Sequence, residues 1–459
     1  MTAMTLPDRF LSQTEAVMGT SLFSTFLNAL DEPAPVSIRM NTSKWRGAPK
    51  GGRRVPWCTD GYYLPVRPAF TFDPLFHAGC YYVQEAASMF LSHVLWQHVH
   101  RSVTMLDLCA APGGKTTTAL SALPEGSVVV CNEPVPRRAA VLLENVWKWG
   151  NENVIVTRNY PADFKCMAGM FDVVLCDAPC SGEGLFRKDS EAAGEWTPGA
   201  VDACAALQRS ILSDAWLCLK EGGLMIFSTC TYNTEENEKN VRWLCATYGA
   251  EPITVDTVAE WGVTGSLLDG FDAPVYRFIP GRTEGEGLFM AVMRRGSHND
   301  ARPQSALPSP RRTKTDCTAL LTGERDDWYT FETGSGVTAV PRGMRETLAA
   351  AAPLRLLSAG VPLYNNKGRG TVPAAALALS RRFRRDAFPT ADLPYDDAVA
   401  YLQRCAVTLP PGTPDGYVAV TYRGMPVGFA KNIGRRANNL YPQEWRIKST
   451  HAPDIQEII

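Results

Sequence analysis

Hydrophobic and polar positions form two kinds of segment across the middle of the chain. Short apolar runs, rich in β-branched residues and bounded by turn residues, predict five buried strands. These strands are Val103–Leu108, Ser127–Asn132, Val154–Thr157, Phe171–Asp177 and Leu224–Thr229. Between them, Arg137–Trp149 and Val201–Lys220 carry apolar residues at helical spacing. This alternation predicts a doubly wound, Rossmann-like α/β sheet whose ligand crevice lies beyond the carboxyl ends of its strands.

Breaks in this pattern predict where the chain divides. The stretch Gly296–Pro310 is polar and proline-rich, and it follows an apolar, strand-like run at Leu288–Met293. A second break lies near Ala387–Pro394. We therefore predict a first domain at 1–98, a central α/β domain at 99–296, a linker at 297–313, an intermediate domain at 314–388 and a final domain at 389–459.

Composition excludes several classes of protein. The chain has 459 residues, of which 45% are hydrophobic and 20% charged, so it is neither disordered, collagen-like nor a coiled coil. No apolar run approaches a membrane span, and the start of the chain lacks the pattern of a secretory signal. We expect a soluble, cytoplasmic and monomeric protein with no membrane partner. Its 13 scattered cysteines are then expected to be free thiols, without a metal-ligand set.

Charge is distributed unevenly along the chain, although the net charge is only −1. Residues 301–459 hold 21 Lys and Arg against 14 Asp and Glu, a net charge of +7, while residues 1–300 carry −8. A basic final third fits an appendage that faces phosphates. A basic face that only meets solvent explains the charge equally well.

The first predicted strand runs into the motif Asp107–Thr116, which reads DLCAAPGGKT. Small residues and two glycines let the backbone approach a ligand closely, and the helix that follows favours negative charge at its start. Glu133 ends the second strand, where an acidic residue suits the hydroxyl groups of a ribose. A tight turn followed by a solvated glutamate is the alternative.

Two cysteines follow the ends of two neighbouring strands. Asp177–Gly184 reads DAPCSGEG and contains Cys180, and Phe227–Asn233 reads FSTCTYN and contains Cys230. A single cysteine at a strand end is usually a small core residue. Two of them beside Asp177, opposite a nucleoside-type loop, favour a functional site.

Two thiols and a carboxylate suit the methylation of a cytosine at carbon 5. That carbon is a poor nucleophile, but it becomes reactive when a thiolate adds to carbon 6. A carboxyl group at N3 and the exocyclic amine stabilises this adduct, and a second group helps to remove the carbon 5 proton afterwards. The three residues fit these demands better than hydride or phosphoryl transfer.

Three motifs resemble those of the Fmu/Sun family of RNA cytosine-C5 methyltransferases. They are CAAPGGK at Cys109–Lys115, DAPCSGEG at Asp177–Gly184 and STCTY at Ser228–Tyr232. The resemblance extends to Ile38–Thr42 and Gly79–Ser88, and GMPVGFAK and RANNLYP in the tail resemble the PUA-like end of the RsmF branch. It implies a class I methyltransferase domain between a smaller α+β RNA-binding domain and a C-terminal PUA-like β domain.

The resemblance also implies a cofactor and residue roles. The cofactor is S-adenosyl-L-methionine, bound by the motif loop, Glu133, Arg138 and Asp177. Cys230 is the nucleophile, Cys180 helps to release the product, and Asp177 contacts both cofactor and base. The implied loop residues are Cys109, Ala110, Ala111, Pro112, Gly113, Gly114 and Lys115. The family often has an acidic adenine-side residue after the third strand; here Asn159 and Asp163 are both candidates for it.

An enzyme that acts on a base in RNA must expose that base and hold the backbone. Basic residues interleaved with aromatic ones suit this task. The candidates are Arg187, Lys188, the run Arg381–Arg385, Lys431, Arg435, Arg436, Arg446 and Lys448, with Tyr441 and Trp445.

We therefore expect an RNA cytosine-C5 methyltransferase whose substrate, by the resemblance, is 16S ribosomal RNA or the small ribosomal subunit, and not DNA. Four alternatives stand beside this expectation: transfer RNA as substrate, a DNA cytosine methyltransferase, a small-molecule methyltransferase, and a ribosome-assembly factor that binds RNA without catalysis. The intact cysteine pair argues against the last, and the basic tail against a small substrate. The STCTY motif and the PUA-like tail favour RNA over DNA.

Overall fold

The computed structural model describes residues 6–296, 313, 318–368, 370–449 and 457–459. The predicted linker at 297–313 therefore lies almost wholly outside the described residues. Within the described part of the chain, no helix is both long and apolar enough to cross a membrane. That part also contains no cluster of three or more His, Cys, Asp or Glu side chains able to hold a metal ion.

The N-terminal segment is an α+β structure, as the resemblance predicted. Helix α1 leads into a four-stranded antiparallel sheet in the order β2-β3-β1-β4, and α3 then leads into the central domain. The elements are α1 (Asp8–Leu30), β1 (Val36–Met40), β2 (Arg53–Val55), β3 (Cys58–Leu64), α2 (Pro74–His77), β4 (Tyr81–Val83) and α3 (Phe90–His98).

The central segment contains the predicted Rossmann-like sheet. Its elements are β5 (Thr104–Asp107), α4 (Gly114–Ala122), β6 (Val128–Asn132), α5 (Pro136–Trp149), β7 (Val154–Thr157), β8 (Phe171–Asp177), α6 (Ser190–Glu195), α7 (Pro198–Cys218), β9 (Leu219–Thr229), α8 (Glu238–Tyr248), β10 (Glu251–Pro252), β11 (Tyr276–Phe278) and β12 (Leu288–Arg294). Five parallel strands stand in the order β9-β8-β5-β6-β7, and β12 adds an antiparallel neighbour to β9. The predicted fold class is confirmed, with antiparallel edges added.

Local chemistry explains where these helices begin and end. Pro136 occupies the first turn of α5, where its missing N–H costs nothing, and Gly150 ends the helix at φ 90°. The Thr197 side chain caps α7 by accepting from the Ala200 N–H. This cap starts the helix three residues before the predicted Val201.

The C-terminal elements complete the chain. They are β13 (Trp328–Thr333), β14 (Gly336–Pro341), α9 (Arg345–Ala350), β15 (Leu356–Ala359), β16 (Val361–Lys367), β17 (Gly370–Pro373), α10 (Ala375–Leu379), β18 (Thr390–Asp392), α11 (Tyr395–Leu402), β19 (Gly416–Tyr422), β20 (Met425–Asn432) and β21 (Ala437–Asn439). One small sheet runs β13-β14-β16-β17 and another runs β18-β19-β20-β21. The predicted domain division stays a prediction, although β15 from the 314–388 segment joins the large sheet by pairing with β7.

Two apolar layers cover the central sheet. Helices α3, α4 and α5 bury one face, and α7, α8 and α9 bury the other. A third core joins the two ends of the chain, because Ile38 and Tyr81 pack with Tyr401 and Val420. Burial of this kind stabilises by roughly 25 cal/mol per Å² of apolar surface. It leaves the carboxyl ends of the parallel strands as the place for a site.

Candidate active site

The predicted site residues gather at the carboxyl edge of the large sheet. Asp107 lies opposite Cys131 on one side and Leu175 on the other, and Asp177 lies opposite Ser228. The loops that follow β5, β6, β8 and β9 therefore leave the sheet at the same edge. This is the edge at which ligands bind in open α/β sheets.

The two predicted cysteines lie against each other. Sγ of Cys180 is 3.2 Å from Sγ of Cys230, and both residues are partly exposed. The hydrogen bond between the thiols, together with burial, raises the pKa of Cys180 well above its usual value. Cys180 consequently keeps its proton and is a poor nucleophile in this arrangement.

Asp177 is held between two partners at the end of β8. Its Oδ1 accepts from the Ser228 hydroxyl at 2.7 Å, and its Oδ2 lies 2.9 Å from Nζ of Lys115. Burial lowers the pKa of Lys115, but the charge of Asp177 and its hydrogen bond outweigh burial and raise it. The lysine is therefore held in its charged form beside the carboxylate.

The motif loop joins β5 to α4 and turns sharply at Gly113. This glycine has φ 114°, a conformation that side chains with a Cβ rarely adopt. Two side chains of α5 fix the loop backbone, since Arg138 donates to the Ala111 carbonyl at 3.1 Å and Asn145 to the Pro112 carbonyl at 2.8 Å. The loop thus has a fixed shape at the start of a helix, where backbone N–H groups are free to meet a ligand.

Glu133 and Arg138, which were both predicted to bind the cofactor, lie next to each other. One oxygen of the buried Glu133 accepts from the Val135 N–H at 2.9 Å, and the other is 3.5 Å from Arg138 Nη2. The carboxylate lies just beyond the end of β6, where it can accept from ribose hydroxyls.

Asp107 is a site residue that the sequence analysis did not name. Its Oδ2 accepts from the Thr116 hydroxyl at 2.6 Å, while its buried Oδ1 has no hydrogen-bond partner among the described residues. Burial, opposed by that hydrogen bond, raises the pKa of Asp107 to about 7. Its position at the end of the first parallel strand was the signal that could have identified it.

Ser228 was also missed as a site residue in its own right. It was quoted only as the first letter of the STCTY motif, yet its hydroxyl orients the Asp177 carboxylate. No sequence pattern distinguishes it from an ordinary strand serine.

Cys109 takes part in the loop only through its backbone. Its thiol forms a hydrogen bond with Cys176, which is the main reason that its pKa is raised. The side chain packs against the apolar layer under the sheet. It therefore faces away from the crevice.

The two candidates for an adenine-side contact both have local partners. Asn159 Oδ1 accepts from the Arg355 N–H at 3.0 Å, and Asp163 accepts from the Tyr160 N–H at 2.9 Å. Asp163 thereby caps the short helix that follows β7. The geometry does not choose between the two residues.

The prediction that Arg187 binds RNA is wrong. Its guanidinium donates to the Ala29 and Gly285 carbonyls and to Glu286, and only 8% of its side chain is exposed. Lys188 also lies 3.4 Å from Glu286, but it keeps 40% of its side chain exposed. Of this pair, only Lys188 is exposed enough to face a phosphate.

The other predicted RNA contacts divide in the same way. Arg381 and Arg382 are bound to Glu152, so this part of the basic run joins two segments of the protein. Tyr441 and Trp445 are buried in the core shared by the two ends of the chain and cannot stack on a base. Exposed positions remain at Lys431 near the end of β20, and at Arg435 and Arg436 in the turn between β20 and β21.

Comparisons with known proteins assign the chain to a family. A family model described as 16S rRNA methyltransferase RsmB/F matches residues 94–294. A model of the N-terminal domain of 16S rRNA methyltransferase RsmF matches residues 6–86, and a model of the methyltransferase RsmF PUA domain matches residues 388–447.

Relatives match along almost the whole chain. The ribosomal RNA small subunit methyltransferase F of Serratia proteamaculans is 30% identical over 96% of this chain and 96% of its own. The protein of the same name from Escherichia coli strain K12 is 31% identical over 95% of this chain and 96% of its own.

Solved structures agree in fold. A methyltransferase homologue from Pyrococcus horikoshii is 26% identical, with a TM-score of 0.51, over 63% of this chain and 100% of its own. NSun6 from the same organism, solved with SFG, is 19% identical with a TM-score of 0.53 over 64% of this chain and 99% of its own, and shows the fold alone. The family models and the full-length relatives show that the chain belongs to the RsmF family of 16S ribosomal RNA methyltransferases, and it is an RNA methyltransferase.

Proposed function

We propose that this protein transfers a methyl group from S-adenosyl-L-methionine to carbon 5 of a cytosine in 16S ribosomal RNA, through a covalent bond to Cys230. The observation that carries the proposal is the thiol pair. Two sulfurs 3.2 Å apart lie at the same edge of the sheet as Asp177 and the motif loop. A methyltransferase that methylates a nitrogen or oxygen needs no such pair, because that atom is already nucleophilic.

The cofactor is S-adenosyl-L-methionine, and the residues at the edge of the sheet fit it. Asp107 has a buried carboxyl oxygen with no hydrogen-bond partner in the described part of the chain, and the loop turns at Gly113, which carries no side chain. The loop Cys109–Lys115 would hold the methionine part, and Glu133 with Arg138 the ribose part. When bound, the cofactor supplies an electrophilic methyl group attached to a positively charged sulfur.

Cys230 performs the first step on the base. Its Sγ, which has given up its proton and attacks as the thiolate, bonds to carbon 6 of the cytosine, and the electron pair of the ring double bond makes carbon 5 nucleophilic. Asp177, positioned by Ser228 and Lys115, contacts N3 and the exocyclic amine, where charge develops. The position of Cys230 in the STCTY motif, which resembles that of RNA cytosine-C5 methyltransferases, supports Cys230 as the attacking sulfur.

Cys180 acts in the second step. Once carbon 5 carries the methyl group, its proton must leave so that the electron pair can re-form the ring double bond and expel the Cys230 sulfur. Bonding of Cys230 to the base removes the thiol–thiol hydrogen bond that raises the pKa of Cys180. Cys180 can then act as a thiolate that accepts the carbon 5 proton, while the Cys230 sulfur leaves with its electron pair. The 3.2 Å contact between the two sulfurs supports this assignment.

Exposed basic residues are available to hold the RNA backbone. Lys188 follows the Cys180 loop, Lys431 lies near the end of β20, and Arg435 and Arg436 lie in the exposed turn that follows it. The names of the relatives support 16S ribosomal RNA of the small subunit as the substrate.

The test is methyl transfer from labelled S-adenosyl-L-methionine to small-subunit particles that lack the modification, with the product nucleoside identified. The wild type is expected to give 5-methylcytosine and Cys230→Ala to give none. Cys180→Ala is expected to accumulate a protein–RNA adduct that survives denaturation.

A matched control is Cys166→Ala, which removes an exposed thiol outside the site and should methylate like the wild type. Label on transfer RNA instead of the particles would reject the proposed substrate. Absence of label on particles, naked ribosomal RNA and transfer RNA would favour an RNA-binding assembly factor. A different labelled nucleoside would reject the cysteine chemistry.

A further inference from the structure

Two buried carboxylates lie behind the thiol pair, and the chemistry proposed above does not use them. Glu183 follows Cys180 by three residues, and Glu236 follows Cys230 by six. Their residues are 3% and 0% exposed. Buried carboxylates are costly unless hydrogen bonds compensate them, so their partners indicate what they are for.

Glu183 reaches from the Cys180 loop to the Cys230 loop. One of its oxygens accepts from the backbone N–H groups of Tyr232 at 2.6 Å and Asn233 at 3.0 Å, and from the Thr231 hydroxyl. These are the three residues that follow Cys230. Its other oxygen accepts from the Trp196 ring N–H at 3.1 Å.

Glu236 reaches from the Cys230 loop to the Cys180 loop. Its side chain accepts from the backbone N–H of Ser181 at 3.0 Å and from the hydroxyl of the same residue, which directly follows Cys180. Gln208 of α7 donates both to Glu236 at 2.7 Å and to the Pro179 carbonyl at 2.9 Å. Glu236 therefore fixes the residues on both sides of Cys180.

Asn233 joins the two carboxylates. Its side-chain amide lies 2.9 Å from an oxygen of Glu183 and 2.9 Å from an oxygen of Glu236. A direct backbone bond adds to the connection, because the Gly184 N–H donates to the Cys230 carbonyl at 2.7 Å. We name Glu183, Asn233 and Glu236 the carboxylate clamp.

We propose that Glu183 and Glu236 are positioning residues that hold the Cys180 and Cys230 loops in register, so that the two sulfurs stay in contact through the release step; this role rests on the proposed function. Each carboxylate belongs to one loop and binds the other. Neither thiol can move away while both carboxylates are in place.

An isosteric amide tests the clamp without changing its volume. In Glu183→Gln, one oxygen that accepts hydrogen bonds becomes an NH₂ group facing N–H or O–H donors, and the same holds for Glu236→Gln. Attack on carbon 6 requires only Cys230, whereas release requires both sulfurs in contact. We therefore expect the rate of product release to fall more than the rate of attack on carbon 6 in these variants, so that the protein–RNA adduct accumulates.

The geometry can be measured without RNA. Phenylarsine oxide condenses with two adjacent thiols, forming two S–As bonds and one water from the As=O oxygen and the two thiol protons. Mass spectrometry of the full-length protein then locates the bridged peptides. We expect the Cys180–Cys230 bridge to form about tenfold more slowly in both amide variants, because small displacements of reacting groups reduce rates steeply.

Glu152→Gln is the matched control, since it removes another buried, hydrogen-bonded carboxylate that lies outside the clamp. It should form the bridge at the wild-type rate. Ser181→Ala removes only one hydroxyl donor to Glu236 and gives a milder second variant, with a smaller loss in the same direction. Folding of each variant is checked by thermal unfolding.

The proposal would be overturned if the amide variants formed the arsenical bridge at the wild-type rate. If neither amide variant folds, the same rate in Ser181→Ala would overturn it. An equal loss in Glu152→Gln would also overturn it, since general destabilisation would then explain the result. Failure of the proposed function is distinguishable, because it would leave the wild type without methyl transfer while the arsenical still reports on the clamp.

Discussion

At the scale of single residues, the site contains ionisable groups whose burial makes their charged forms unfavourable. Asp107, Asp177 and Lys115 meet where β5 and β8 end, and Asp107 is completely buried with one oxygen lacking a partner among the described residues. Such a carboxyl group favours its neutral form until a ligand or a cation compensates it. Its titration therefore appears in the stability of the free protein.

The first prediction concerns Asp107→Asn. The pKa of Asp107 is raised from 3.8 to about 7 in the folded state, so the folded protein binds a proton that the unfolded chain releases. Wild-type stability from this group is present below about pH 4 and is lost as the pH rises to about 7. The asparagine does not titrate, so the variant should gain ~2 kcal/mol relative to the wild type between pH 5 and pH 8.

Urea unfolding of both proteins at pH 5 and pH 8 measures this difference. A gap between the two proteins that stays constant with pH would contradict the raised pKa of Asp107.

A second residue prediction concerns Gly184, which passes close to the Cys230 loop. A Cβ at this position would lie 2.6 Å from the Cys230 carbonyl oxygen and 3.2 Å from Cα of Gly287. Both neighbours are backbone atoms and cannot turn aside. We expect Gly184→Ala to lower the free energy of unfolding by about 1–3 kcal/mol and to reduce methyl transfer.

Chemical denaturation and the methylation assay measure these two effects. Gly194→Ala is the control, because nothing lies within 4 Å of a Cβ at that position in α6. It should be neutral or slightly stabilising, since alanine favours helix. Equal losses in the two variants would show that crowding at Cys230 is not the cause.

At the scale of elements, the large sheet continues into the C-terminal part of the chain. β15 pairs with β7, and just beyond α10 the residues Arg381 and Arg382 donate to Glu152, which precedes β7. Burial raises the pKa of Glu152, but the two arginines outweigh it and lower the pKa below its usual value. The basic run thus fastens one segment to another.

We predict that Glu152→Gln lowers the free energy of unfolding by about 1–2 kcal/mol at pH 7, after allowing for the partial exposure of both arginines. Because the folded-state pKa is lowered, this contribution is present above the unfolded value of 4.5 and is lost as the pH falls through the folded value. Chemical denaturation should show a smaller difference in the free energy of unfolding between Glu152→Gln and the wild type near pH 4 than at pH 7.

Glu125→Gln serves as the control, because that carboxylate is 91% exposed and lies 3.7 Å from Arg382. It should unfold like the wild type. If Glu125→Gln lowers the free energy of unfolding as much as Glu152→Gln, the ion pairs of Glu152 with Arg381 and Arg382 are not what joins the segments.

At the scale of the whole molecule, the two ends of the chain form one structure. Tyr441 of the final segment lies 3.2 Å from Nδ1 of His77 in the N-terminal segment, within the core that the two segments share. The exposed basic turn that holds Arg435 and Arg436 therefore has a fixed position relative to the N-terminal sheet. A fixed basic surface can orient an RNA toward a distant site.

We predict that Arg435→Glu/Arg436→Glu weakens RNA binding and makes affinity less dependent on salt, since fewer counterions are released. Binding to 16S ribosomal RNA across a salt series measures both effects. The control is Arg101→Glu/Arg294→Glu, which makes the same change of charge at the edge of the central sheet opposite the candidate site. It should bind RNA with wild-type affinity and salt dependence. Unchanged affinity of the first variant at every salt concentration would remove these arginines from the interface.

The sequence by itself determined the parallel sheet and the loops that carry the chemistry. Hydrophobic period and turn residues identify the strands β5 to β9, and parallel strands must end at one edge, so Cys180, Cys230 and Asp177 were expected to meet. These inferences succeed because they depend on local patterns and on chain direction.

Only the tertiary structure decided which charged groups are free. Arg187 and Arg381 looked like RNA contacts, but each finds a buried carboxylate far away in the chain, Glu286 and Glu152 respectively. Most partners of Glu183 could not be identified from the sequence either, because Thr231, Tyr232 and Asn233 lie in a loop about fifty residues later. A charge pairs with whatever the fold brings within a few ångströms, and that proximity follows from packing of the whole chain rather than from any local pattern.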